Sequence, residues 1–102
     1  MKENILKEFL DKYKLIGEEK FYKFLLVYSI KKLIFFEKEN KVSQPNLELL
    51  EIHNQFIILY RREGEDIYLN IAKVFRKAAH KIYRVMLKKG LINKSDKFLN
   101  LV

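Results

Sequence analysis

The sequence contains no cysteine, which excludes disulfide bonds and thiolate metal sites. It also has no tryptophan, one proline and three glycines in 102 residues, so few positions favour a turn. The longest apolar stretch, residues 21–36, contains three lysines, whereas a membrane span needs about 20 largely uncharged residues. No signal peptide is recognisable in the charged N-terminal residues. We therefore expect one cytoplasmic domain, residues 1–102, without a transmembrane segment or a cofactor.

Apolar residues recur at the helical period of about 3.6 residues through most of the chain, and no window alternates as a strand would. The sequence therefore predicts an all-α fold, a compact four-helix bundle with a short C-terminal helical extension. The helices are expected at about residues 2–15, 18–37, 47–62 and 65–89, and the extension at about 96–101. Gly17 and Gly90 are expected to end the first and fourth helices.

The second and third helices each have one distinctive feature. Apolar residues surround the second helix almost completely, which predicts that it is the buried centre of the bundle or also faces a second subunit. The third helix is expected to be capped by Ser43 or Asn46, with Pro45 in its first turn.

Gly64 leaves open whether the third and fourth helices are separate. The apolar pattern continues across it from Tyr60 through Ile67 to Ile71, as in one long helix. Each half, however, has acidic residues at its start and basic residues at its end, as a complete helix does. An unbroken helix would measure about 65 Å, which is long for so small a monomer. We therefore favour a break, while a continuous helix would indicate a homodimer.

The net charge of +8 arises in one segment of the chain. Between Ile67 and Ser95 there are eight lysines and arginines and no acidic residue, while the rest of the chain has 13 basic and 13 acidic residues. At helical spacing most of these cations fall on the face opposite the apolar residues of the fourth helix. The predicted binding residues are Lys73, Arg76, Lys77, His80, Lys81, Arg84, Lys88 and Lys89.

Like charges four residues apart on a helix repel each other by a few tenths of a kcal/mol per pair. A bound polyanion would offset that cost, and nucleic acid is the commonest such partner. We therefore expect a non-enzymatic protein that binds DNA or RNA. An acidic protein and an anionic membrane surface remain alternative partners. Neutralisation by acidic residues of the other helices, or a basic surface without a function, are the remaining alternatives.

Two local patterns resemble known families. The sequence Ile82, Tyr83, Met86 followed by residues 88–92 resembles the end of a winged-helix recognition helix, which implies that Lys77, Lys81, Arg84 and Lys88 face a DNA groove. The spacing of Arg76 and His80 is similar to the Arg–His pair of HEPN ribonucleases, although three residues separate the pair here instead of four to six. That similarity implies RNA cleavage.

In size, charge and architecture the chain also resembles bacteriocin immunity proteins, which implies a protein-interaction module.

The remaining candidate residues are expected to be structural. His53 falls within the apolar stripe of the third helix, so we expect a neutral, hydrogen-bonded core histidine. Neither histidine is part of a Glu-x-x-His motif, and two histidines without cysteine do not predict a metal site. Tyr83 is the one aromatic residue near the cationic residues that we consider for base stacking, although core packing is favoured.

Overall fold

A computed structural model of the protein describes residues 2–38 and 44–92. It contains four helices, which are α1 (Lys2–Ile16), α2 (Glu18–Lys38), α3 (Pro45–Glu63) and α4 (Asp66–Lys88). No strand occurs in these two ranges, so the predicted all-α four-helix bundle is confirmed. The predicted C-terminal extension lies outside the described residues.

The centre of the bundle is α4, which buries nine residues on one face. This helix packs most extensively against α3 and next against α2. The small side chains of Ala72, Ala78 and Ala79 are completely buried, which allows the neighbouring helices to approach α4 closely. The buried face is formed by Ile71, Ala72, Val74, Phe75, Ala78, Ala79, Ile82, Tyr83 and Met86.

The prediction that the second helix is the buried centre is wrong. In α2, Phe21, Leu25 and Leu33 are buried. Val27, Ile30 and Ile34 on its other side remain substantially exposed. Apolar composition around a helix shows that several faces are able to pack, but the positions of the neighbouring helices decide which face does.

Phenylalanine rings from all four helices meet in the core. The ring of Phe75 on α4 lies 5.2 Å from Phe9 of α1, 5.6 Å from Phe21 of α2 and 5.8 Å from Phe56 of α3, measured between ring centroids. The first two contacts are edge-to-face, an arrangement that aromatic rings prefer to a direct face-to-face stack. Phe75 therefore holds the four helices in register at one point.

A break separates α3 from α4, as the charge pattern predicted. Gly64 has a φ of 72°, in the left-handed region, and its N–H donates to the carbonyl oxygen of Tyr60 at 2.7 Å. This geometry ends α3 one residue earlier, at Glu63. The chain then reverses direction, so that α4 packs along α3 instead of extending it.

The predicted cap of α3 is wrong. The N-cap is Gln44, whose side chain makes no capping hydrogen bond, and Pro45 occupies the first helical position. The fixed φ of proline already favours that position, so α3 starts one residue after Gln44 without a polar cap. Asn46 is completely buried inside the first turn. Ser43, the other predicted cap, lies outside the described residues.

We expect Phe75→Ala to lower the free energy of unfolding by about 3–5 kcal/mol, because it leaves a cavity among rings from three other helices. Phe35→Ala is the matched control, since 57% of that side chain is exposed, and it should change stability far less. Urea unfolding followed by circular dichroism measures both. Equal losses in the two variants would contradict the central position of Phe75.

Candidate functional site

The exposed side of α4 is almost entirely cationic. We call it the basic face, which consists of Lys73, Arg76, Lys77, His80, Lys81, Arg84 and Lys88, with Lys89 at the C-cap. His80 is partly buried and the other seven residues are exposed. The helical period places these residues opposite the buried face of the same helix. The structure therefore brings all eight predicted binding residues to one helix, on its solvent side or at its C-terminal end.

Most cations of this face have no ion-pair partner in the part of the chain that the structure describes. The lysines of the basic face and Arg84 have no carboxylate oxygen within 4.0 Å there. Three ion pairs of that part join Lys23 to Glu19, Lys32 to Glu48 and Arg62 to Glu63. All three lie on α2 and α3, and none includes a residue of α4.

The first turn of α2 borders the N-terminal half of the basic face. Glu18, Glu19 and Tyr22 line a concavity of about 430 Å³ together with Lys73 and Lys77. The Nζ atom of Lys77 lies 4.5 Å from the centre of the Tyr22 ring, a cation–π contact. The two carboxylates reduce the positive potential at this end, so we expect the strongest potential near Lys81, Arg84 and Lys88.

On the opposite edge, α3 places His53 near the basic face. Nδ1 of His53 lies 3.0 Å from Oδ1 of Asn54, and the ring is partly buried. Burial lowers the pKa of His53, and the positive charge of Arg76 lowers it further, while the hydrogen bond to Asn54 partly opposes both. The expected hydrogen bond is present and the lowered pKa favours the neutral ring, but the predicted core position is wrong, because His53 is only partly buried.

His80 has a lowered pKa for similar reasons. Burial is the largest cause, and the charges of Arg76 and Arg84 add to it. Arg76 and His80 lie one turn apart on α4, and the charge of Arg76 acts on both histidines. A guanidinium beside two imidazoles is able to bind a phosphate group, and a bound phosphate would raise the pKa of each ring.

Two features of a sequence-reading site are missing from the described residues. Tyr83 is only 3% exposed, so its ring packs in the core and offers no surface for base stacking. Helix α4 is continuous from Asp66 to Lys88, so the turn that precedes a winged-helix recognition helix does not occur.

No three histidine, aspartate or glutamate side chains in this part of the chain are placed to hold a metal ion. Nor is any helix described here long and apolar enough to cross a membrane.

Contacts between helices supplied the details that sequence reasoning missed. Tyr22 and Glu19 of α2 lie beside Lys77 of α4, and no residue spacing within one helix predicts this contact between two helices. The same is true of His53 on α3, which lies near Arg76. Comparison with known proteins adds nothing to the geometry, because no protein-family model, curated protein or solved structure matches the chain.

Acidification is expected to destabilise the protein. Both histidines have a lowered pKa in the folded state, so the unfolded chain binds more protons once the pH falls below the ordinary histidine pKa of about 6.5. The free energy of unfolding should therefore decrease from about pH 7 to about pH 5. The decrease should be smaller in His53→Gln. Urea unfolding at several pH values measures it, and an identical pH dependence in the variant would contradict the assignment to His53.

Proposed function

We propose that this is a small, non-enzymatic, cytoplasmic protein that binds nucleic acid through the basic face of α4. The observation that supports the proposal is the set of exposed lysines, together with Arg84, that have no carboxylate partner among the described residues. An ordinary solvated helix face mixes both signs, as α1 does with Lys7, Glu8, Asp11 and Lys12. A polyanion would relieve the repulsion between the like charges of α4.

The dimensions of the basic face suit a run of phosphates. Lys73 and Lys88 are 15 residues apart, which corresponds to about 22 Å along the helix axis. With one base pair per 3.4 Å, that length faces about six base pairs of a duplex. Contacts from lysine and arginine to phosphates release condensed counterions, and this release drives most sequence-independent binding.

The surroundings of α4 favour contact with the nucleic-acid backbone over base reading. Tyr22 of α2 contacts Lys77 on one edge of the basic face, and His53 of α3 lies near Arg76 on the other. A recognition helix has to enter the major groove, and side chains from neighbouring helices border α4 on both sides. Since Tyr83 is buried, α4 also lacks a described exposed aromatic ring on which a base would stack. We therefore infer a preference for duplexes, without sequence specificity.

Affinity for a labelled duplex should fall steeply with salt. If about five cations contact phosphates, the logarithm of the association constant should fall with the logarithm of salt concentration at a slope of roughly −4 to −5. Fluorescence anisotropy at salt concentrations between about 50 and 200 mM measures this slope. A labelled single strand, measured in parallel, should bind more weakly. Salt-independent binding, or no binding at the lowest salt, would exclude the proposed mode.

The C-terminal half of the basic face should carry most of the affinity. We expect the triple variant Lys81→Gln, Arg84→Gln, Lys88→Gln to bind the duplex roughly tenfold more weakly or worse. The slope of its association constant against salt concentration, on logarithmic axes, should become shallower by about three. The matched control Lys7→Gln, Lys14→Gln, Lys20→Gln removes the same charge from exposed positions on α1 and α2. Equal weakening in both variants would show that net charge alone, and not α4, determines binding. Circular dichroism verifies that both variants fold.

A further inference from the structure

Helix α2 exposes four large apolar side chains, three of them on its outer side. Val27, Ile30, Ile34 and Phe35 have exposed fractions of 51%, 40%, 49% and 57%. Val27, Ile30 and Ile34 follow one another at helical spacing and point away from the side of α2 that is buried at Phe21, Leu25 and Leu33, whereas Phe35 lies on the flank of the helix. Contiguous apolar patches on the surface of a monomer typically mark a contact with a partner or a membrane. We call the surface formed by Val27, Ile30 and Ile34, together with the exposed Lys20, Lys23 and Lys31, the outer face of α2.

Lysines are interleaved with these apolar side chains. Lys20, Lys23 and Lys31 are exposed, and Lys31 lies between Ile30 and Ile34 in the sequence. Within residues 18–35 the acidic residues are Glu18 and Glu19, both in the first turn of α2. Glu19 pairs with Lys23 at 3.6 Å through highly exposed side chains. The outer face of α2 is therefore both apolar and cationic.

A second copy of the chain fits this face poorly. A twofold axis through the apolar stripe, near Ile30, would place Lys31 close to its own symmetry mate, and like charges facing each other oppose association. A stable protein–protein interface also buries about 1,200–2,000 Å² in total. The half-exposed side chains of one helix supply only part of that area.

An anionic lipid surface matches both properties of the face. Lysine side chains lay their alkyl stems along apolar surface and place the charged amine at the level of the lipid phosphates. Apolar side chains of the same helix then enter the boundary between headgroups and acyl chains. This face lies on the convex outer side of one helix, so it is able to contact a flat membrane surface without needing a groove.

We propose that the outer face of α2 binds the surface of an anionic membrane. Val27, Ile30 and Ile34 enter the acyl boundary, and Lys20, Lys23 and Lys31 contact the lipid phosphates. This binding is peripheral and reversible. It uses residues separate from the basic face of α4, so it is independent of the proposed binding of nucleic acid.

Co-sedimentation with lipid vesicles tests the proposal. The full chain should sediment with vesicles of phosphatidylcholine and phosphatidylglycerol, but not with vesicles of phosphatidylcholine alone, at about 0.15 M salt. The double variant Ile30→Asn, Ile34→Asn should reduce the partition coefficient roughly tenfold. Ile58→Asn is the matched control, because that isoleucine is 53% exposed on α3, and it should sediment like the unmodified chain.

Further variants separate the outer face of α2 from the basic face of α4. Lys23→Gln with Lys31→Gln should also weaken sedimentation, and it keeps the test valid if the isoleucine variant fails to fold. Both α2 variants should bind duplex DNA as the unmodified chain does. The α4 triple variant should lose less vesicle binding than the α2 variants.

Three results would overturn the proposal. The first is the absence of vesicle binding by the unmodified chain. The second is a loss in the α4 variant that equals or exceeds the loss in the α2 variants, because α4 would then hold the lipid by charge alone. The third is a dimer in sedimentation equilibrium that Ile30→Asn, Ile34→Asn converts to a monomer, because a second copy would then cover the outer face.

Discussion

The contact of Phe75 with one phenylalanine from each of the other helices fixes the orientation of α4. Because the ring is completely buried, α4 is not able to rotate about its axis without removing Phe75 from the core. The helical period then determines the direction of every other side chain of α4. The cations of the basic face point outward because the apolar side chains of the same helix are held inside.

The relative sizes of two effects explain why the fold tolerates so much like charge. Burial of one large apolar side chain contributes about 1.5–3 kcal/mol, whereas one like-charge pair on a helix costs only a few tenths of a kcal/mol. The six buried residues of α4 that are larger than alanine therefore outweigh the repulsion on its other side. Stability does not require a carboxylate beside each lysine, and the described part of the bundle leaves those lysines accessible to an external anion.

Features within one helix could be predicted from the sequence, and features between helices could not. The apolar period predicted four helices and the buried face of α4, and the charge pattern around Gly64 predicted the break before α4. The position of α2 was predicted wrongly, because apolar residues on all its sides gave no reason to choose one face. The cap at Gln44 was missed because a proline at the first helical position makes a polar cap unnecessary. The proximity of Arg76 to His53 depends on how α3 packs on α4, which no spacing within either helix reveals.

Titration of isotope-labelled protein with a short DNA duplex, followed through backbone amide chemical shifts, locates the surface that binds nucleic acid. If α4 binds through its basic face while its opposite face holds the core, the largest shift changes should occur at and around Lys81, Arg84 and Lys88. Changes at Val27, Ile30 and Ile34 of α2 should be small. Changes concentrated on α1 or on the outer face of α2, with α4 unaffected, would contradict binding through α4.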